Sequence, residues 1–297
     1  LWLFGDTFVA HEEIRNDRID MDVILGTTLA ISTCSGNCKF KIQYYLKKQN
    51  GKFVSSFGGN EWLWPQDPFI VGDVLYIPLI AITPTDTEEL FNFKIEGHKF
   101  ARIKDFLAAD PNDWHVEYID LTPAIPQEIN AFATTSVVHD NHVYFYPLYA
   151  YFNDDVNVLG NILARIPADK LDNPVGPIEY YTSDGTWLDT LNPSKIKIVL
   201  NACVSELSVR YHAAEKKWIA VYLSPQNKGD RLLFQHADKL EGPWSKPESF
   251  DVNIPEITPP STLYDRNTFC YAGKYNIKFT GDGTLVVTYV CNSVEDF

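Results

Sequence analysis

The chain has 297 residues and carries 25 Lys and Arg against 39 Asp and Glu, a net charge of −14. An acidic chain repels phosphate backbones, so we expect no nucleic-acid partner. Hydrophobic residues make up 45% of the chain and charged residues 22%, which is typical of a globular protein and excludes a disordered one. No apolar run reaches the roughly 18 residues of a transmembrane helix, so we expect no membrane span.

One short pattern recurs five times along the chain. It is a β-branched and aromatic run, and its copies begin at residues 1, 74, 143, 218 and 285. Four copies follow a polar turn and a second run of the same kind, which predicts hairpins over residues 68–79, 135–148, 207–223 and 275–290. Strong helical periodicity is absent. The spacing near 70 residues predicts an all-β fold, a five-bladed β-propeller, as a single domain over residues 1–297. A β-sandwich is the alternative.

The first copy differs from the others at its sixth position. Four copies have an apolar residue there (Leu79, Leu148, Leu223 and Val290), whereas the first has Asp6. A carboxylate is costly to bury unless it is paired or used. The comparison therefore predicts that Asp6 is a catalytic carboxylate. The alternative is a local turn in which the Asp side chain bonds its own backbone.

Glu206 is predicted as the second catalytic carboxylate. It opens the inner strand of the fourth repeat unit, in the hairpin over residues 207–223, and inner strands of a propeller line the central channel. Arg210 shares a face with it at the strand period of two, so we predict that Arg210 binds substrate. The alternative is a surface ion pair between Glu206 and Arg210, which contributes little to stability.

Three residues in a proline-stiffened loop are predicted to bind a sugar. Trp62 and Trp64 offer amphipathic rings, and Asp67 starts the inner strand of the second repeat unit, before the hairpin over residues 68–79. The alternative for the two rings is packing in the core. Asp22, near Arg15 and Arg18, is a further predicted binding residue, with a solvated strand edge as its alternative.

The motifs of several other reactions are absent. The sequence has no glycine-rich phosphate loop, no G-x-S-x-G elbow and no H-E-x-x-H pair. The seven histidines are scattered, so we expect no metal site and no cofactor, with a channel-bound ion as an open alternative. Carboxylates that converge on a channel are what glycoside hydrolysis needs, because one protonates the leaving oxygen and the other acts as base or nucleophile.

The five cysteines leave at least one unpaired within the chain. A disulfide between Cys34 and Cys38, or between Cys270 and Cys291, would suit an exported protein, and free buried thiols are the alternative. We therefore expect a secreted or extracytoplasmic protein.

The opening of the chain resembles the DUF4185 family. The matching residues are Leu1-Trp-Leu-Phe-Gly-Asp-Thr-Phe8 and, after a charged loop, Gly26-Thr-Thr-Leu-Ala-Ile31. The stretch from Ser205 to Trp244 also looks like five-bladed glycosidases in general. The family includes endo-D-arabinanases of five-bladed propeller fold. The resemblance implies that Asp6 acts with a second Asp about one strand upstream, a position before Leu1. The chain has Gly26-Thr27 where the family usually shows Asn.

These observations together predict a glycoside hydrolase that acts on an arabinan-like or related furanoside polysaccharide. A non-catalytic carbohydrate-binding propeller is the main alternative, because it keeps the rings and tolerates loss of a carboxylate. A protein-interaction propeller is a third, and a phosphorylase, with Arg210 as its phosphate contact, is a further enzyme variant.

Overall fold

The computed structural model describes residues 1–11, 21–35, 39–85, 93–108, 110–152, 157–173, 177–276 and 285–293. Within them almost all regular structure is β-strand, so the predicted all-β class is confirmed. The helical segments of this part are three 3₁₀ turns, at Pro111–Asp113, Thr122–Ala124 and Ala168–Lys170. None of its helices has the length and apolar character to cross a membrane. The chain divides into two compact units, Leu1–Pro123 and Ala124–Phe297, and the single-domain arrangement stays a prediction.

The first unit contains twelve of the described strands. They are β1 (Trp2–Phe4), β2 (Thr7–Val9), β3 (Asp22–Ile24), β4 (Thr28–Ser35), β5 (Lys39–Tyr44), β6 (Lys47–Gln49), β7 (Lys52–Val54), β8 (Trp62–Pro65), β9 (Phe69–Val71), β10 (Val74–Pro84), β11 (Phe93–Ile103) and β12 (Val116–Asp120). They form a sheet in the order β12-β11-β10-β8 with β9 also paired to β10, a sheet β1-β4-β5, and the pairs β2-β3 and β6-β7. Every pairing is antiparallel.

Strand β10 carries the core of the first unit. Its residues from Val74 to Ile80 are all buried, because β8 and β9 flank one side of the strand and β11 the other. Ile77 and Leu63 are completely buried in a cluster that also holds Leu29 of β4 and Ile103 of β11. Each such aliphatic side chain contributes about 1.5–3 kcal/mol relative to exposure. This core fixes the position of β8.

The second unit contains the remaining strands. They are β13 (Ile129–Ala131), β14 (Ser136–His139), β15 (His142–Phe145), β16 (Leu148–Phe152), β17 (Asn157–Asn161), β18 (Ala164–Pro167), β19 (Glu179–Tyr181), β20 (Trp187–Leu188), β21 (Ser208–His212), β22 (Lys217–Leu223), β23 (Leu232–Ala237), β24 (Glu248–Ser249), β25 (Thr268–Tyr275) and β26 (Val287–Ser293). Their sheets have the orders β13-β16-β17, β14-β15-β18-β19-β20, β21-β22-β23-β24 and β25-β26.

Two apolar clusters stabilise the second unit. One is centred on Tyr146, Leu200 and Leu207, and the other on Val221 and Ile254. A disulfide joins Cys270 of β25 to Cys291 of β26, which are directly opposite each other in the strand register. Cys203 is a free thiol, and burial raises its pKa. The Cys34–Cys38 alternative involves Cys38, which lies outside the described residues.

Three of the predicted hairpins are confirmed. Strand β9 pairs with β10 around Gly72-Asp73, β14 with β15 around Asp140-Asn141, and β21 with β22 around a longer turn. Asp140 and Asn141 have φ angles of 45° and 59°, the left-handed values that tight hairpin turns need. Strand β25 also pairs with β26, although residues 277–284 of the predicted turn region lie outside the described residues.

The first copy of the pattern does not continue through Asp6 as a strand. Strand β1 ends at Phe4 and pairs with β4, whereas β2 begins at Thr7 and pairs with β3. Asp6 therefore lies in the break between two strands of different sheets. The equivalence with the other copies is also wrong at Val290, which is 41% exposed and does not face a core.

Candidate functional site

Asp6 is the centre of the candidate site in the first unit. Its side chain is exposed, unlike Leu79 and Leu223 at the equivalent positions of two other copies, which are buried. One oxygen, Oδ1, accepts three hydrogen bonds: from the backbone N–H of Gly26 at 2.7 Å, from Nε1 of Trp62 at 2.7 Å and from Nε1 of Trp64 at 3.1 Å. Within the described part of the chain, Oδ2 accepts none. Asp6 therefore has one oxygen held by three hydrogen bonds and one oxygen that receives no hydrogen bond from the described residues.

Gly26 supplies the backbone donor because of its unusual conformation. Its φ is +97°, a value that side chains other than glycine rarely adopt, and a Cβ there would lie 2.9 Å from Oγ of Ser55. The following residue, Thr27, is completely buried. Its N–H donates to Ser55 Oγ at 3.0 Å and its hydroxyl donates to the carbonyl of Leu63 at 2.7 Å. Thr27 thus ties the Gly26 segment directly to β8.

Strand β8 supplies the two indole donors. Trp62 and Trp64 are two residues apart, so their side chains leave the same face of the strand. Their rings are half-buried and meet edge to face, with centroids 5.9 Å apart and planes at 86°. Trp64 also meets Phe93 edge to face at 4.6 Å. The two rings therefore contact each other and the protein while their N–H groups converge on Asp6.

The two other acids predicted in this unit do not join the Asp6 cluster through any described hydrogen bond. Asp22 pairs with His11 at 3.4 Å and stands opposite Val9, at the far end of the β2–β3 pair from Asp6. Asp67 follows β8 and is only 7% exposed. Arg15 and Arg18, predicted near Asp22, lie outside the described residues. The binding roles of Asp22 and Asp67 stay predictions.

Glu206 lies in the second unit, two residues before β21. Its side chain is half-buried, and burial raises the pKa of the carboxyl group although the charge of Lys274 opposes the shift. Lys274 is held in β25 by two backbone carbonyls, because its Nζ donates to Thr134 O at 2.9 Å and to Leu207 O at 2.8 Å. A carboxyl group with a raised pKa keeps its proton closer to neutral pH, as a general acid must.

Arg210 contacts protein acceptors in the second unit. Its Nη1 donates to Oγ1 of Thr135 at 3.0 Å, to the carbonyl of Ser136 at 3.3 Å and to the carbonyl of Val209 at 2.9 Å. These contacts give the guanidinium a structural use that the sequence did not reveal. Its predicted role in substrate binding stays a prediction.

One group of described residues has the spacing of a metal site. Glu256, Cys270 and Cys291 bring a carboxylate oxygen and two sulfurs within 4.8 Å of one another. The sulfurs are bonded to each other in the disulfide, so they are not the thiolates that a metal would need. We assign no metal to this group.

One residue of the site and the hydrogen-bonding role of two others were not predicted from the sequence. Gly26 appeared only as a departure from a family pattern, and no residue pattern links its N–H to a carboxylate 20 residues earlier. Trp62 and Trp64 were identified, but as sugar platforms and not as hydrogen-bond donors. A glycine directly after the apolar run Val23-Ile24-Leu25 was the available signal for a special backbone position.

Solved structures of similar fold were found. A protein from Bacteroides ovatus, described as a candidate hydrolase, matches with a TM-score of 0.68 and 14% identity over 97% of this chain and 75% of its own. A GH43_1 enzyme from Xanthomonas citri complexed with xylotriose has a TM-score of 0.46 and 12% identity over 93% of this chain and 75% of its own. An α-L-arabinanase from Cellvibrio cellulosa complexed with arabinohexaose has a TM-score of 0.42 and 16% identity over 81% and 71%.

The TM-score of 0.68 with the Bacteroides ovatus protein shows a shared fold, and at 14% identity the likeness shows the fold alone. No curated protein matches the sequence. The family model that matches is not that of DUF4185, which the opening residues resemble. It is described as a domain of unknown function, DUF5005, and it matches residues 1–297, so the chain belongs to the DUF5005 family.

Proposed function

We propose that this chain is a glycoside hydrolase that cleaves a polysaccharide, with Asp6 as a catalytic carboxylate on a five-bladed β-propeller. The observation that carries the proposal is the Asp6 carboxylate, which is exposed, has Oδ1 held by three N–H groups and receives no hydrogen bond at Oδ2 from the described residues. A carboxylate in this state can take a proton from water or attack an anomeric carbon. The description of the Bacteroides ovatus protein as a candidate hydrolase agrees with this reaction class.

The role of Glu206 as a catalytic carboxylate stays a prediction from sequence. Burial raises the pKa of its carboxyl group. In the inverting form of the reaction, Asp6 takes a proton from water and the water oxygen bonds to the anomeric carbon. The glycosidic C–O bond breaks, and the leaving oxygen takes a proton from a general acid. In the retaining form, Asp6 itself bonds to the anomeric carbon before water releases the sugar.

The proposed substrate is an arabinan-like or related furanoside polysaccharide, on the basis of the opening motif that resembles endo-D-arabinanases. The Cys270–Cys291 disulfide supports a secreted or extracytoplasmic location, since disulfides persist in oxidising compartments. Soluble polysaccharides are available to an enzyme in that location.

The proposal is tested by reducing-end release from a panel of polysaccharides that includes arabinan. We expect release by the wild type and at least a 100-fold loss in Asp6→Asn, which keeps the shape of the side chain but removes the base. Asp73→Asn is the matched control, because Asp73 is exposed in the β9–β10 turn of the same unit.

Two outcomes contradict the proposal. Release that is unchanged in Asp6→Asn removes Asp6 from the mechanism. Binding of a polysaccharide by the wild type without any release favours the carbohydrate-binding alternative over the hydrolase.

A further inference from the structure

Asp6 has one rotatable bond that decides which carboxylate oxygen faces a substrate. Rotation about this terminal bond is broad and has no strong intrinsic preference. A carboxylate on the surface would therefore sample many orientations. In this protein the rotation is restricted, because two indole nitrogens and one backbone nitrogen all donate to Oδ1.

We propose that Trp62 and Trp64 are positioning residues for catalysis, whose indole N–H groups hold Asp6 by Oδ1 and so direct Oδ2 toward the substrate. This inference rests on the proposed function of Asp6. It replaces the sequence-based interpretation of the two rings as platforms that stack on a sugar.

The indole group is chemically suited to this role. An indole N–H donates a hydrogen bond and has no acceptor, so it holds a carboxylate oxygen without competing for the proton that the carboxylate must carry. Three donors on one oxygen saturate its lone pairs, since a carboxylate offers about four lone-pair sites over two oxygens. The lone pairs open to a substrate proton or an anomeric carbon are then those of Oδ2.

The packing of the first unit also fixes the positions of the two tryptophans. Trp62 and Trp64 flank Leu63, which is completely buried and whose carbonyl accepts the hydroxyl hydrogen bond of Thr27. Thr27 in turn follows Gly26, the third donor to Asp6. The three donors thus belong to one connected framework, so that Asp6 is oriented by rigid neighbours.

The two interpretations of the rings make opposite kinetic predictions. Replacement of Trp by Phe keeps a flat apolar ring but removes the N–H donor. If the rings stack on a sugar, Trp62→Phe and Trp64→Phe raise KM slightly and leave kcat unchanged. If the N–H groups position Asp6, each variant lowers kcat by roughly 10- to 100-fold, because small misplacement of a reacting group has effects of this size, and KM stays within about twofold.

Trp114→Phe is the matched control. Trp114 lies in the core of the same unit, and its Nε1 is buried without a hydrogen-bond partner among the described residues. The control therefore removes the same atoms from the same residue type without breaking a hydrogen bond. We expect its kcat to equal that of the wild type.

A second measurement detects the hydrogen bonds without any substrate. In ¹⁵N-labelled protein the indole N–H signals are assigned by Trp62→Phe and Trp64→Phe, and Asp6→Asn is then compared with Asp73→Asn. We expect Asp6→Asn to shift the two assigned signals and to speed their exchange with solvent. Asp73→Asn should move neither.

The outcomes separate the inference from the proposed function. Loss of turnover in Asp6→Asn, together with unchanged kcat in both Trp→Phe variants, overturns the positioning role and leaves the hydrolase standing. Unchanged turnover in Asp6→Asn overturns both. If no polysaccharide is cleaved, the indole N–H signals decide. Signals that Asp6→Asn leaves unchanged overturn the inference, and signals that shift and exchange faster support the hydrogen bonds from Trp62 and Trp64 to Asp6.

Discussion

The backbone N–H of Gly26 lies 2.7 Å from Oδ1 of Asp6, and a side chain at Gly26 would collide with Ser55. We therefore expect Gly26→Ala to destabilise the first unit by about 1–3 kcal/mol and to lower kcat, because the left-handed φ and the collision both displace the donor. Urea unfolding and turnover measure the two effects. Gly72→Ala is the control, since Gly72 has a φ of +60° but nothing within 4 Å of its Cβ position. Equal losses in both variants would show that the contact with Ser55 does not matter.

Glu206 should make the stability of the second unit depend on pH. Burial raises the pKa of this carboxyl group above the unfolded value of 4.5, so the folded state binds its proton more tightly. Its contribution to stability is full below pH 4.5 and is lost as the pH rises through the raised pKa. Glu206→Gln cannot titrate there, so its stability relative to the wild type should improve as the pH rises from about 4 toward 7.

Urea unfolding at several pH values tests this dependence on pH. Glu215→Gln is the control, because Glu215 is exposed in the turn between β21 and β22. A difference between Glu206→Gln and the wild type that stays constant with pH is the contradicting result.

The disulfide joins Cys270 and Cys291, which are 21 residues apart in the sequence. Its removal by the paired change to Ala should lower the free energy of unfolding by about 3 kcal/mol, because the unfolded chain gains the freedom that the bond removes. Denaturant unfolding without reductant measures the loss. Cys203→Ala, which removes a free thiol, is the control with little expected effect. A paired variant as stable as the wild type would show that the bond is not formed.

Two buried tyrosines of the second unit should respond differently to loss of the hydroxyl group. Tyr146 donates its hydroxyl to the carbonyl of Leu240 at 2.9 Å, whereas the hydroxyl of Tyr180 is buried without a partner among the described residues. We expect Tyr146→Phe to lose about 0.5–1.5 kcal/mol and Tyr180→Phe to be neutral or stabilising. Thermal or denaturant unfolding compares them directly. A larger loss in Tyr180→Phe would contradict the hydrogen-bond assignment.

The elements that sequence predicted well are those decided by neighbouring residues. The Gly72-Asp73 and Asp140-Asn141 turns were predictable because turn chemistry is local, and the strands beside them follow from β-branched and aromatic runs. The predicted hairpin over residues 135–148 ends too late, since β15 ends at Phe145 and Leu148 belongs to β16. Pro147 lies between these two strands and has no N–H for a strand pairing.

The candidate site was only partly predictable from the sequence, because its contacts join residues that are distant in the chain. Asp6 was found by comparison of repeats, yet its three donors come from positions 20, 56 and 58 residues away, and no local pattern encodes such contacts. The repeat comparison treated residues 1–6 as one run, whereas β1 ends at Phe4 and Asp6 lies in the break before β2. The raised pKa of Glu206 likewise results from its burial in the folded chain, with the charge of Lys274 opposing the shift.

Among the described strands, β8 is the last in its sheet order and pairs with β10. Both indole donors lie on this one strand, so any displacement of β8 from β10 would take both N–H groups away from Asp6 together. The orientation of the Asp6 carboxylate therefore depends on the placement of one four-residue segment, Trp62–Pro65.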